Sequence, residues 1–215
     1  MILLGLTGSI GMGKSETANM FRREGVPVYD SDAEVHKLQA PGGRALPQIE
    51  ATFPGVVIDG VLDRAALGQR VFGQLPELRK LEAIIYPMMG KAQRDFLRQA
   101  TQRGDPVVVL DVPLLFETGG DKYVDASVVV SAPKDLQRKR VLARPDMTME
   151  KFAGVLSQQM PDEEKRKRAN YIVHSGLGKA FALQQVRAIL QQMKNYDGSV
   201  WPTKVLRRRA RKRVG

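Results

Sequence analysis

Five apolar runs punctuate a chain that is otherwise helical in pattern. They are Ile2-Leu3-Leu4-Gly5-Leu6, Val26-Pro27-Val28-Tyr29, Pro106 to Leu110, Asp125 to Val130 and Tyr171-Ile172-Val173. Near-continuous apolar runs of this length predict strands buried on both faces of a parallel sheet. Between them the spacing predicts helices. Glu16 to Arg23 has Ala18, Phe21 and Arg22 at helical spacing, and Ala33 to Leu38 and Ala45 to Phe53 follow. Asp63 to Phe72 starts on an Asp cap, and Pro76 to Ile85 and Pro87 to Gln102 each open on a helix-start proline. Later helices are predicted at Lys134 to Ala143, Met149 to Gln159 behind a Thr148 cap, Pro161 to Ala169, and Lys179 to about Lys194. Val57 to Leu62 is expected to be a local turn. Strands separated by helices give an α/β fold with a mainly parallel sheet, whose ligands bind at the carboxyl ends of the strands.

Charge changes the picture at one end only. The net charge is +11, and Lys204, Arg207, Arg208, Arg209, Arg211, Lys212 and Arg213 supply seven of those charges within the last dozen residues. Such a block is expected to act as a solubilising tail with non-specific affinity for anionic polymers, and Trp201 is placed to anchor its start. At 215 residues the chain can hold one sizeable core with a small inserted subdomain. No apolar run approaches the length of a membrane span. The absence of Cys excludes disulfides and a Cys-based zinc site. The N-terminal apolar run leads straight into a glycine-rich loop, so it is not expected to be a cleaved leader, and the expected location is the cytoplasm.

That loop is the most informative stretch. Gly8-Ser9-Ile10-Gly11-Met12-Gly13-Lys14-Ser15 fits a glycine, four free positions and then Gly-Lys-Ser, between a predicted strand and a predicted helix. In this context backbone N–H groups converge on one anion. Lys14 can reach the β- and γ-phosphates of a nucleoside triphosphate, and the Ser15 hydroxyl can bind Mg²⁺. A triphosphate site with Mg²⁺ can serve a switch, a motor or a transferase, and Thr17 on the following helix is a further candidate contact.

Three acidic residues fall at predicted strand ends. Asp32 is the candidate base for an acceptor hydroxyl. Asp30 could do the same, hold Mg²⁺ through water, or cap the next helix. Asp111 could hold Mg²⁺ through water or tie strand to loop. Pro113-Leu114-Leu115-Phe116 before Glu117 could line a wall near the acceptor or pack beneath it. Arg140 and Arg144 share a helix face with helical spacing, with Arg138 beside them. Mobile arginines can close over a triphosphate and exclude water. His36 lies one turn beyond Asp32, and His174 ends the last strand. On these residues alone, a kinase with another hydroxyl acceptor and a nucleic-acid-associated NTPase remain alternatives.

Several separated motifs together resemble one family, dephospho-coenzyme A kinase. They are Leu6 to Ser15, Val28-Tyr29-Asp30-Ser31-Asp32, Asp111-Val112-Pro113-Leu114-Leu115-Phe116-Glu117, Gln137 through Arg144, and Gln159-Met160-Pro161 with Lys165, Ala169, Ile172 and Ser175-Gly176. The resemblance covers Ile2 to about Met193. It implies a P-loop kinase fold of three layers, with a five-stranded parallel sheet, a helical acceptor-binding subdomain and a small lid. It implies one domain over 1–200, with core segments 1–32, 104–136 and 155–194. The acceptor subdomain would be about 33–103, the lid about 137–154, and the basic tail 201–215. It also implies ATP-dependent phosphorylation of the ribose 3′-hydroxyl of dephospho-coenzyme A, with Asp32 as base and Arg140 and Arg144 near the phosphates. Lys14 and Arg140 would serve catalysis. His36, Tyr86, Leu114, Phe116 and Glu117 would face the acceptor. Two positions depart from the family's usual pattern: Tyr86 precedes Pro87 where His is common, and Asn170 stands where Asp is frequent.

Overall fold

The computed structural model describes residues 1–202. The sequence's basic block, Lys204 to Arg213, lies outside the described residues. The elements are β1 (Ile2–Thr7), α1 (Lys14–Arg23), β2 (Val28–Asp30), α2 (Ser31–Leu38), α3 (Leu46–Thr52), β3 (Val57–Ile58), β4 (Val61–Leu62), α4 (Arg64–Val71) and α5 (Leu75–Arg103). They continue with β5 (Val107–Asp111), β6 (Ala126–Ser131), α6 (Lys134–Leu142), α7 (Met149–Ser157), α8 (Asp162–Arg168), β7 (Tyr171–His174) and α9 (Lys179–Met193).

The chain divides into two compact units. One comprises Met1–Tyr29 and the residues from Ala100 onward; the other is Asp30–Gln99.

The first unit is built on a five-stranded parallel sheet in the order β2-β5-β1-β6-β7. Central β1 pairs Leu4 with Val109 on one side and with Ala126 on the other. The chain leaves β1 toward one edge and later returns toward the other. The crevice at the end of β1 is therefore the switch point where such sheets bind ligands. Ile2, Leu4, Leu6, Val109, Val128 and Val130 pack with Phe21 of α1 and Val186 and Ile189 of α9. Leu3, Val108 and Val129 are buried as well, which is why the strand sequences show no polar alternation. Asp125 locks the last described segment onto the sheet. Its Oδ2 accepts from the Leu3 N–H at 2.8 Å, and its Oδ1 from the Ser199 and Val200 N–H groups at 2.6 and 3.0 Å. Trp201 is buried and its Nε1–H donates to Thr101 Oγ1 at 2.8 Å, so it does anchor the chain before the basic block.

The second unit has its own core of Leu38, Leu46, Ile49, Phe53, Val56, Leu62, Leu67 and Ile85. Asp30 caps α2, accepting from the Ala33 N–H at 2.9 Å, and Asp63 caps α4 through Ala65 and Ala66. Two expectations are corrected here. Val57 to Leu62 is a small antiparallel hairpin of β3 and β4, turned by Asp59 and Gly60, both with positive φ. The two helices expected around Pro87 are one, α5, with Pro87 inside it. A proline there removes one N–H donor. Ile85 in the core, with Leu81, Ile84, Met88 and Met89 packed against it, gives both sides of Pro87 a reason to stay helical.

Candidate active site

The loop between β1 and α1 is shaped by its glycines. Gly11 and Gly13 have φ of 77° and 94°, the left-handed region that a Cβ disfavours. There is no room for one either. A Cβ on Gly11 would lie 2.5 Å from Val141 Cγ2, and one on Gly13 2.9 Å from Ser175 Oγ. The loop ends at the N-terminus of α1, where unsatisfied N–H groups and the helix dipole favour an anion. Lys14 opens that helix, and its Nζ pairs with Asp111 Oδ1 at 2.5 Å. Asp111, the last residue of β5, is only 2% exposed, so its carboxylate needs this partner. Ser15 is exposed, whereas Thr17 is buried and its hydroxyl turns back to Gly13 O at 3.2 Å.

Arg140 of α6 reaches the same loop. Its guanidinium donates to Ser175 Oγ and O at 2.9 and 3.0 Å, and to Gly11 O at 3.4 Å. Arg138 is exposed and paired with Asp135; Arg144 is exposed beyond the end of α6. Two cavities flank the loop. One of about 210 Å³ is lined by Gly13, Thr17, Arg140, Ser175 and Gly178. The other, about 1340 Å³, includes Met12, Pro133, Gln137, Gln159, His174 and Leu177 in its walls.

The segment after Asp111 is tied down by a buried pair. Lys165 is fully buried; its Nζ lies 2.9 Å from Glu117 Oε1 and donates to Pro113 O at 3.3 Å. Glu117 Oε1 also accepts from the Met160 N–H at 2.7 Å. Burial pushes the Glu117 carboxyl toward the neutral form. The hydrogen bonds from Lys165 and Met160, with the Lys165 charge, outweigh that and hold its pKa below the ordinary glutamate value.

The dephospho-CoA kinase family model matches residues 2–178. The chain is 53% identical over 199 residues to a dephospho-CoA kinase of Mesorhizobium japonicum, covering 93% of this chain and all of that one. It is 52% identical over 192 residues to one from Novosphingobium aromaticivorans, covering 89% and 94%.

The chain belongs to the dephospho-CoA kinase family.

A solved structure from Thermus thermophilus superposes with a TM-score of 0.77 at 34% identity, covering 89% of this chain and 97% of that one. A dephospho-CoA kinase from Campylobacter jejuni shares the fold at 23% identity and a TM-score of 0.58, covering 89% and 96%. The dephospho-CoA kinase chain is thus an α/β P-loop kinase.

Within its first unit this dephospho-CoA kinase family member brings together the loop, Lys14, Asp111 and Arg140. In its second unit, Asp32 is exposed in the first turn of α2. His36 Nδ1 accepts from Arg64 at 3.0 Å, and the Tyr86 hydroxyl donates to Glu82 at 2.8 Å. Burial and the neighbouring Glu82 raise the Tyr86 pKa, so the phenol stays neutral. Of the two alternatives for the run before Glu117, Phe116 takes packing. It is 4% exposed and covered by the Arg168 guanidinium, 4.7 Å from its ring centroid, because an aromatic ring at that turn gains more by packing than by facing water. Leu114 is the exposed member of the run and Leu115 is buried. Arg168 is exposed and also pairs with Asp121. Asn170 Oδ1 accepts from the N–H and hydroxyl of Ser127, a tie between β6 and the start of β7. Gln137, Gln159, Lys165 and Ser175 stand in the sequence motifs, but their partners, which lie far away along the chain, were not foreseen.

Proposed function

We propose that this protein transfers the γ-phosphoryl group of ATP to the ribose 3′-hydroxyl of dephospho-coenzyme A, giving coenzyme A and ADP, the last step of coenzyme A synthesis. The observation that carries the reading is the glycine loop at the end of the central strand, with Lys14 fixed by Asp111 and Arg140 against its outer side, in a chain of this family. N–H groups of the loop cradle the phosphates, and Lys14, with three donors, can keep Asp111 while contacting the β- and γ-phosphates. Gly8, Ser9, Ile10, Met12 and Thr17 complete the nucleotide site. Arg140 and Arg144 balance charge on the phosphates.

Asp32 is the base. Its carboxylate takes the proton of the 3′-hydroxyl as the new O–P bond forms and the bond from the γ-phosphorus to the bridging oxygen breaks, releasing ADP. What supports this is its position two residues beyond β2 and its exposed side chain. His36 and Tyr86, from a subdomain of about 33–103, and Leu114 and Glu117, with Phe116 as packing support, serve the acceptor; a lid spans about 137–154. Magnesium arrives with the donor. The described residues contain no cluster of three or more acidic or histidine ligands for a cation. That suits Mg²⁺, which takes most of its ligands from phosphates and water. The Ser15 hydroxyl would hold it directly and Asp111 or Asp30 through water, and it would neutralise phosphate oxygens. No described helix is long and apolar enough to cross a membrane, and we place the enzyme in the cytoplasm. The basic tail supplies only non-specific contact with anionic polymers.

Coupled ADP release tests the reading. With ATP and Mg²⁺, turnover should be slow alone and fast with dephospho-coenzyme A. Acceptor-independent hydrolysis at the same rate would overturn it.

A further inference from the structure

A loop that binds phosphate turns consecutive N–H groups toward the anion and its carbonyl oxygens away from it. Carbonyls withdrawn from water need donors of their own. Three consecutive ones have them here. Ile10 O accepts from Gln137 Nε2 at 2.8 Å, Gly11 O from Arg140 at 3.4 Å, and Met12 O from Ser175 Oγ at 2.5 Å. The Ile10 N–H, in turn, donates to Gln159 Oε1 at 3.0 Å. Both polar groups of Ile10 are therefore held by side-chain amides. Partner chemistry fixes how those amides are turned. A carbonyl requires the NH₂ of Gln137, and an N–H requires the carbonyl oxygen of Gln159.

The anchors come from separate elements. Gln137 is on α6 and 5% exposed, Gln159 lies two residues past α7, and Ser175 follows β7. Removing one leaves a loop peptide group without its fixed partner and free to rotate. Ordering it again then falls to the nucleotide, which lowers the fraction of molecules competent to bind.

We propose that Gln137 and Gln159 are positioning residues for phosphoryl transfer: they clamp the Ile10 backbone and, with Ser175 on Met12, preset the loop for the triphosphate. The clamp rests on the assignment of the loop as the ATP site. It acts on the donor and not on the acceptor, which separates it from a general packing role.

The test uses Gln137→Met and Gln159→Met separately in the full chain. Methionine keeps the length of the side chain and removes the hydrogen bond. Thermal unfolding of the unliganded protein, titration calorimetry with Mg·ATP, and KM for each substrate are measured. Each variant should bind ATP about tenfold more weakly, the effect of one net hydrogen bond. KM for ATP should rise in step, KM for dephospho-coenzyme A should stay at the parental value, and the stabilisation by saturating ATP should shrink. A purely structural role would lower the unliganded unfolding temperature and leave ATP affinity parental. Parental affinity in the folded variants, or equal rises in both KM values, would overturn the clamp. Should one variant fail to fold, the other, on a different element, carries the test. A parent that binds no ATP would instead remove the donor-site assignment itself.

Discussion

Lys14 Nζ sits 2.5 Å from Asp111 Oδ1, joining the first residue of α1 to the last residue of β5. The ammonium that should meet the phosphates is thus aimed by a carboxylate that water barely reaches. Asp111→Asn keeps the shape and removes the charge. The expected result is a fall in kcat/KM for ATP of roughly 10–100-fold, with the acceptor KM changed little, because a charge-assisted contact is worth about 1.5–3 kcal/mol. Lys14→Met should cost more, on the order of 10³-fold, since it removes the phosphate contact itself. Steady-state kinetics with each substrate varied in turn checks both.

Asp32 lies in the exposed first turn of α2, while its neighbour Asp30 caps that helix. The two carboxylates should therefore fail differently. Asp32→Asn should lower kcat by a factor of ~10² or more with the unfolding temperature unchanged. Asp30→Ala should lower stability by about 1 kcal/mol through loss of the cap. Turnover surviving in a folded Asp32→Asn protein would remove Asp32 as the base and leave the substrate assignment intact.

The five strands and the phosphate loop were legible in the sequence for a physical reason. Strands buried on both faces leave near-continuous apolar runs, and a loop that approaches an anion closely needs glycines at fixed spacing. Pro87 misled because a helix-start proline and an internal one look alike until the packing of Ile85 and its neighbours is known. The hairpin of β3 and β4 has two residues per strand, too few for any periodicity. The anchors of the loop stand in the sequence motifs, but what each one holds was beyond local pattern. Gln137, Gln159 and Ser175 meet their partners across 127, 149 and 163 residues. The apolar run before Glu117 left lining and packing both open in the sequence, and the burial of Phe116 under Arg168 favours packing at that position.

The Glu117–Lys165 pair should behave as a buried ion pair. Lys165→Met would leave Glu117 without its cation and should cost roughly 3–5 kcal/mol. Adding Glu117→Gln should restore part of that loss, as a double-mutant cycle in urea would register. The pH dependence follows from the lowered Glu117 pKa. A carboxyl with a folded value below its unfolded one, about 4.3, stabilises the fold above that pH. The contribution fades as pH falls through the depressed folded value. Unfolding free energy measured from pH 7 down to pH 3 should therefore drop less steeply in Glu117→Gln than in the parent.

Asp125 and Trp201 hold the last described segment of the chain. The Asp125 carboxylate holds Leu3 at the start of β1 and the N–H groups of Ser199 and Val200, and Trp201 holds Thr101. The fold therefore needs the chain through Trp201. Asp125→Ala should destabilise by about 3 kcal/mol or more, because several N–H groups lose a charged acceptor at once. Deleting Lys204–Gly215 touches none of these contacts. Acceptor-dependent turnover and the unfolding midpoint should stay within about twofold and 0.5 kcal/mol of the parent. Retention on heparin should fall sharply, since that block carries seven of the eleven net charges. Turnover that collapses in the truncated chain would move the block from non-specific contact into the catalytic cycle, and its dependence on salt would then show whether charge is the cause.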